Sequence, residues 1–231
     1  LKSCLRGGLV LSIKEEFEVH IIPQKQAKPW ILKKHYAHRM PPIQYAFGLY
    51  RKDELVGVCT FGPSVNHREH DRWKPYDLYE LNRLITEDDL PKNALSYFVS
   101  RCIKLMPSPC VLISFADPNH GHYGYIYQAT NWLYTGLGRC AMTRVKLKDG
   151  REIHPRGYWG DSGLTKDDVE EFIQAESGKA RYYYFVGSKK DKKKMLEIIE
   201  NDDLREIKPY PKGKNKNYDT GNKLYKQQRL F

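Results

Sequence analysis

The chain has 231 residues and a mass of 27.1 kDa, enough for one full-sized domain with a small appendage at most. With 40% hydrophobic and 29% charged residues it is neither disordered nor fibrous, and no apolar stretch approaches the roughly 20 residues that span a bilayer, which excludes an integral membrane protein. The 39 Lys+Arg against 28 Asp+Glu give a net charge of +11, which favours nucleic acid, an anionic cofactor or an acidic membrane surface as partner.

The opening LKSCLRGGLVLSIKEEF is weakly patterned, and its apolar segment is too short for a secretory leader to be expected. KPWILKKHYAHRMPP predicts a short helix closed by Pro41-Pro42. On it His35 and Arg39 would share a face at i, i+4, with Tyr36 and His38 beside them, a basic and aromatic face suited to holding substrate. YAFGLYRKDELVGVCTFG predicts a hairpin around Arg51–Glu54. The polar stretch from Pro63 to Pro75 predicts a loop, with Arg68, Arg72, Trp73 and Lys74 as candidates for holding a nucleic-acid strand.

DLYELNRLITED alternates as a strand, Leu78, Glu80 and Asn82 on one side and Tyr79, Leu81 and Arg83 on the other. Asn93 to Met106 is amphipathic at helical spacing and stops at Pro107 and Pro109. CVLISFAD is a continuous apolar run of strand length, the pattern of a central strand covered on both faces. DPNHGHYG predicts a loop, Tyr125 to Thr130 a helix, WLYTGLG a strand, Lys166 to Glu176 a helix, and ARYYYFVG a last strand. From Lys208 to Phe231 seven Lys/Arg face one Asp, so the expected organisation is a domain over 1–207 and a basic tail over 208–231. That tail is a solvated extension, or an arm whose Tyr210, Tyr218 and Tyr225 contact nucleic acid. Five cysteines, none in a CxxC pair, predict reduced thiols in a cytoplasm, with Cys59, Cys102 and Cys110 in the core.

The strand-turn-helix junction YELNRLIT–EDDLPKN–helix is a candidate anion cradle, because a helix start offers unpaired backbone N–H groups and positive dipole charge. Asn93, Ala94, Leu95 and Ser96 would supply it. Arg101 is a phosphate contact or a surface charge. Asp117 ends the buried strand, at the edge where open α/β sheets place their chemistry, and is the first catalytic candidate. Ser114 on the same strand is either a core hydroxyl or a functional one. Asn119, His120 and His122 form the loop beside it and are candidate substrate contacts. His35 with His38, and His67 with His70, are spaced for a metal but lack a local third ligand.

ELNRL followed by a turn and helix, a buried strand, and IYQATNWLYTG resembles the GCN5-related N-acetyltransferase pattern over about sixty residues. That resemblance implies a mostly antiparallel, mixed sheet with flanking helices in an α/β (α+β) fold, coenzyme A at the turn, and Tyr127 as general acid or orienting hydroxyl. The glycines usual in that turn are missing from LPKNALS. A longer match, through WILKKHYAHRMPP, YAFGLY, GVCTFGPS, YELNRL, NALSYFVSRCIKL and ISFADPNHGHYGYIYQATNWLYTG, is similar to the Mom proteins of Mu-like phages. It implies an enzyme that places a carbamoylmethyl group on the exocyclic amine of adenine in double-stranded phage DNA, within the bacterial cytoplasm, and so protects it from restriction. Such a product carries a methylene on the adenine nitrogen, which attack on a thioester carbonyl alone does not give. The donor is then either acetyl-coenzyme A with an added step or a glycine-derived species, and an iron ion would ease the chemistry. The two other readings are an acyl-coenzyme A N-acyltransferase acting on protein, tRNA or a small amine, and a DNA-binding protein without catalysis.

Overall fold

The computed structural model describes residues 12–212 except 36–37, 65, 154, 161–162 and 203–204. Among them, a short helix α1 (Ile13–Glu16) leads into β1 (Phe17–Ile21) and α2 (Gln24–Lys33). The hairpin β2 (Tyr45–Arg51) and β3 (Glu54–Pro63) follows, its two-residue turn made by Lys52, at φ 56, and Asp53. Next come α3 (His67–Trp73), β4 (Asp77–Thr86), α4 (Ala94–Leu105) and β5 (Cys110–Ala116). A 3-10 turn over Pro118–His120 precedes α5 (Tyr125–Ala129) and β6 (Leu133–Leu137). After β7 (Met142–Leu147), β8 (Glu152–Ile153), α6 (Pro155–Trp159) and β9 (Val169–Gln174), the chain returns in β10 (Ala180–Val186) and α7 (Lys189–Glu200).

Among the described residues seven strands form one sheet in the order β1-β2-β3-β4-β5-β10-β6, and three form a second in the order β8-β7-β9. Only β4 and β5 run parallel in the large sheet. This is the mixed, mostly antiparallel sheet with flanking helices expected from the sequence. The apolar run of β5 has its predicted cause: Cys110, Leu112 and Ala116 join the core under α4 and α5, while Val111 and Ile113 join the core under α3 and α7. Cys59, Cys102 and Cys110 are buried free thiols, as expected.

The β4–β5 ladder ends early. Parallel pairing runs from Asp77↔Cys110 to Glu80↔Ile113 and stops, although β4 continues to Thr86 and β5 to Ala116. The cause lies on the other side of β4, where Thr60 pairs with Arg83 and Phe61 with Leu81, so that Asn82 is the extra residue of a bulge. A bulge bends its strand and raises its twist. It carries the upper half of β4 off with β3, while β5 stays with β10 up to Ala116↔Ala180. It also breaks the strict alternation read for DLYELNRLIT, so Arg83 does not follow Leu81 on one face.

Four other expectations are corrected. The helix over WILKKHYAH ends at Lys33, and His38 sits at φ 42, so His35, His38 and Arg39 share no helical face. Residues 67–73 are a helix rather than a loop, and Trp73 is fully buried against Tyr183 and Phe185, 5.1 and 5.6 Å away between ring centres. It is a core residue and cannot hold a nucleic-acid strand. The predicted helix Lys166–Glu176 is a 3-10 turn closed by a Thr165–Asp168 capping box, followed by β9. Pairing of Val169 and Phe172 with Leu147 and Val145 of β7 wins there over local helix propensity. Finally, α7 lies in a stretch with no element expected; its signal is the capping box of Ser188 and Asp191.

Periodicity missed α3 because it buries charge as well as an indole. Glu69 accepts from Tyr183 Oη at 2.9 Å and pairs with Arg205, while Arg72 and Arg205 both reach Asp202, at 2.6 and 2.9 Å. The Glu69 and Arg205 side chains are 4% and 7% exposed. Removing one partner would leave the other charge buried and uncompensated. Arg205→Met is therefore expected to lower the unfolding free energy by about 3–5 kcal/mol, measured by urea denaturation.

Candidate functional site

Where β4 and β5 part, a cavity of about 160 Å³ opens between them. Its walls come from the diverging strand halves (Leu81 to Thr86, and Phe115 to Asp117), from Lys34 and His35 after α2, from Leu95 in the first turn of α4, and from His122, Gly124, Ile126 and Tyr127. The volume is of the order of the ~150 Å³ that accepts a benzene ring, and the cavity opens to solvent. Of the predicted site residues it gathers His35, Leu95, Asp117, His122 and Tyr127.

The crotch of the split is held by a side chain. At the first position where backbone pairing fails, Ser114 Oγ lies 2.9 Å from the Leu81 carbonyl and 2.7 Å from Tyr127 Oη. Ser114 has one proton and the carbonyl can only accept it, so the Tyr127 hydroxyl is the donor in the second bond. Ser114 thus fixes the phenol of Tyr127, whose ring packs against Trp132 and Tyr182.

Asp117 stands at the end of β5 with its side chain one-tenth exposed. Its Oδ1 accepts from Asn119 Nδ2 at 2.8 Å and from the Asn119 amide at 3.1 Å. Lys179 Nζ is 3.4 Å and His120 Nδ1 3.6 Å from Oδ2. Burial pushes this carboxyl upward, but the Asn119 side chain, Lys179, His120 and the Asn119 amide outweigh it and hold the pKa below the usual Asp value. Asp117 is an ionised acceptor at neutral pH. Asn119 also bonds both ways with Ser177, at 3.0 and 3.1 Å, tying Asp117 to the connection that enters β10.

His35 reaches the cavity along the segment between α2 and β2. Asn82 Nδ2 donates to the Pro42 carbonyl at 2.8 Å, and Arg83 Nη2 to the Arg39 carbonyl at 2.8 Å. Gly62 makes this seat possible, since a Cβ there would lie 1.9 Å from the Pro42 oxygen. Burial first, then Arg83, His122, His38 and Lys179, push the His35 pKa down to about 3. Burial and then His120 lower that of His122, against the pull of Asp117. Both imidazoles are neutral at pH 7.

At the start of α4, Asn93 supplies the left-handed residue (φ 74) that glycine would otherwise provide. Ala94 is buried, and Ser96 Oγ turns back to the Asn93 carbonyl at 3.0 Å. Arg101 is exposed two turns along and lines no part of the cavity. His38, Arg39, Asn119 and His120 lie around the cavity's lining residues without being among them, and Tyr36 falls outside the described residues. Lys34, Asn82, Arg83 and Thr86 line the cavity without having been singled out. The string ELNRL contained two of them, but only the bulge shows where they are aimed. Among the described residues no three His, Cys, Asp or Glu side chains converge as a metal-ligand set.

The model of the Mom protein family matches residues 16–212, and the chain belongs to that family. The methylcarbamoylase Mom of Escherichia phage Mu is 29% identical over 223 residues, covering 89% of this chain and 88% of that protein. An N-acetyltransferase from Staphylococcus aureus Mu50 aligns with a TM-score of 0.42 at 11% identity, over 73% of this chain and 98% of that one. A Bacillus subtilis acetyltransferase in complex with CoA aligns at 0.40 and 10% identity, over 74% and 99%.

Because His35 has a folded pKa near 3 against 6.5 when unfolded, the unfolded chain binds the extra proton between these values. Stability is expected to fall as pH drops from 6.5 toward 3. His35→Asn should remove about one proton's worth of that slope, read as the pH dependence of the unfolding midpoint.

Proposed function

We propose that this member of the Mom protein family is a transferase that places a carbamoylmethyl group on the exocyclic amine of adenine in double-stranded phage DNA, and thereby shields that DNA from restriction. The observation that carries this reading, beside family membership, is the ionised Asp117 at the rim of a cavity that also holds neutral imidazoles and an oriented tyrosine.

The nitrogen of adenine's amine is a poor nucleophile because its lone pair is delocalised into the ring. An anionic acceptor placed against one N–H returns electron density to that nitrogen and stabilises the positive charge that develops as it attacks. Asp117 supplies such an acceptor, and its lowered pKa makes it better suited to accepting a hydrogen bond than to keeping the proton. His122, neutral and in the same cavity, is the group suited to taking the proton, whereas His35, pushed down to about 3, is suited to hydrogen bonding rather than to keeping a proton. Tyr127, with its proton committed to Ser114, meets the cavity as an acceptor. A base inside the duplex is out of reach of such a recess, so the target nucleotide is turned out of the stack, at roughly a few kcal/mol, least where pairing is already weak. Lys34, Arg83 and Lys179 at and beside the cavity favour the phosphates around the extruded base.

The donor is a small molecule entering the split between β4 and β5 near Leu95, at the start of α4. The carbon–nitrogen bond forms at the methylene, so the donor must carry a leaving group on that carbon; a glycine-derived species activated there would do so, whereas the methyl of acetyl-coenzyme A would first need a two-electron oxidation. Iron finds no ligand set among the described residues.

Expression of the chain in bacteria, followed by mass spectrometry of nucleosides from their DNA, is expected to show a deoxyadenosine carrying the added group. Asp117→Asn keeps the bonds from Asn119 but removes the charge, and should lower its yield by about 10²-fold or more. Unmodified DNA from well-expressed, folded protein would overturn the proposal, and acetylation of a peptide from acetyl-coenzyme A would point to an ordinary acyltransferase instead.

A further inference from the structure

The first two turns of α7 carry Lys189, Lys190, Lys192, Lys193 and Lys194, all exposed. The only acid among them, Asp191, is folded back onto Ser188 in the capping box. Among the described residues none of these lysines lies within ion-pairing distance of a carboxylate, whereas Arg144, Lys146 and Arg151 are each matched by an acid, Glu152, Glu170 and Asp149. The arrangement also opposes helix physics. Cations at a helix start face the positive end of the dipole, and Lys189–Lys193 and Lys190–Lys194 are like-charge pairs at i, i+4. The helix packs through Met195 and Ile199, with Leu196 and Ile198 partly buried beside them. Lys192 Nζ lies over the Tyr184 ring, 5.9 Å from its centre; for the other four neither packing nor helix stability gives an account.

Their place in the fold is defined. A Cβ on Gly187, which leads into α7, would lie 3.3 Å from Pro109 Cβ, in the loop that joins α4 to β5. This end of the sheet is where Val186 pairs with Cys110, whereas the site lies where Ala180 pairs with Ala116. The six steps between them, at ~3.3 Å each, separate the two ends of β10 by about 20 Å, the length of roughly 6 base pairs of duplex at ~3.4 Å per pair.

We propose that the start of α7 is a docking surface for the phosphate backbone of duplex DNA outside the reacting segment. The inference rests on the reading of the chain as a DNA-modifying enzyme. The lysines make no base-specific contact; they hold neighbouring duplex by releasing its condensed counterions, so the gain in affinity depends on length and salt.

The test compares the full chain with the Lys190→Gln/Lys193→Gln/Lys194→Gln variant, with unchanged circular dichroism and melting midpoint as the folding control. Binding is measured by fluorescence anisotropy across a salt series, on a duplex of about 10 base pairs with a central adenine, which ends short of the lysines, and on one of about 40. On the longer duplex the variant should bind about tenfold or more weakly, with a log–log salt slope shallower by ~2–3, near 0.9 for each lost phosphate contact. On the short duplex the two proteins should agree, and the matching triple Lys→Arg variant should bind as the wild type does. An unchanged long-duplex affinity, an equal loss on both lengths, or stronger competition by an RNA hairpin of equal length would each overturn the inference. Nucleoside mass spectrometry run alongside separates the two readings. Modified adenine with no lysine effect sinks the surface alone, and a lysine effect with unmodified adenine sinks the modification reading alone.

Discussion

The bulge at Asn82 is the constraint from which the rest of the site follows. A parallel pair such as β4 and β5 would zip to the end of both strands if nothing intervened, because each unpaired backbone group left in a core costs free energy. The extra residue turns the upper half of β4 toward β3, and Ser114 then satisfies the Leu81 carbonyl where the next ladder bond would have been. One hydroxyl therefore does two things: it closes the ladder and orients Tyr127. The split is a stable feature of the fold, with its polar edge bonded, and the cavity is what that split leaves open.

The groups around the cavity are tuned by their neighbours in one direction. Burial first, with positive charge from Arg83 and Lys179, keeps His35 neutral, and Asn119 with Lys179 keeps Asp117 ionised against the upward push of burial. The recess therefore holds a neutral imidazole and an ionised carboxylate together at neutral pH. Each supporting contact comes from a different part of the chain: Asn119 from the loop after β5, Lys179 from the start of β10, Arg83 from the bulged strand.

The opposite face of the sheet serves stability. Trp73, Tyr183 and Phe185 form its apolar floor, and the Glu69–Arg205–Asp202–Arg72 cluster ties α3 to the segment that follows α7. From there the chain crosses to the other edge of the sheet, where the Lys208 amide donates to the Tyr134 carbonyl and Tyr210 Oη to that of Trp132. Residues 208–212 thus lie against β6 and its approach, and Tyr218 and Tyr225 fall outside the described residues.

The sequence by itself determined the parts whose signals are local. The hairpin, the amphipathic α4, the doubly covered β5 and the family likeness all show in residue order, because apolar period and turn chemistry act over a few positions. Asp117 was legible for the same reason, as the first polar residue after a buried run. Tertiary structure alone decided where His35 points, since its helix stops at Lys33 and its seat depends on Asn82, Arg83 and Gly62, tens of residues away. It alone turned a polar stretch into α3, because Glu69 is buried only by grace of Arg205, 136 positions on. It also turned an acidic helix-like string into β9 by offering it β7 as a partner. Local pattern fails wherever a polar group is satisfied at long range, since nothing near it in the chain records the partner that makes its burial affordable.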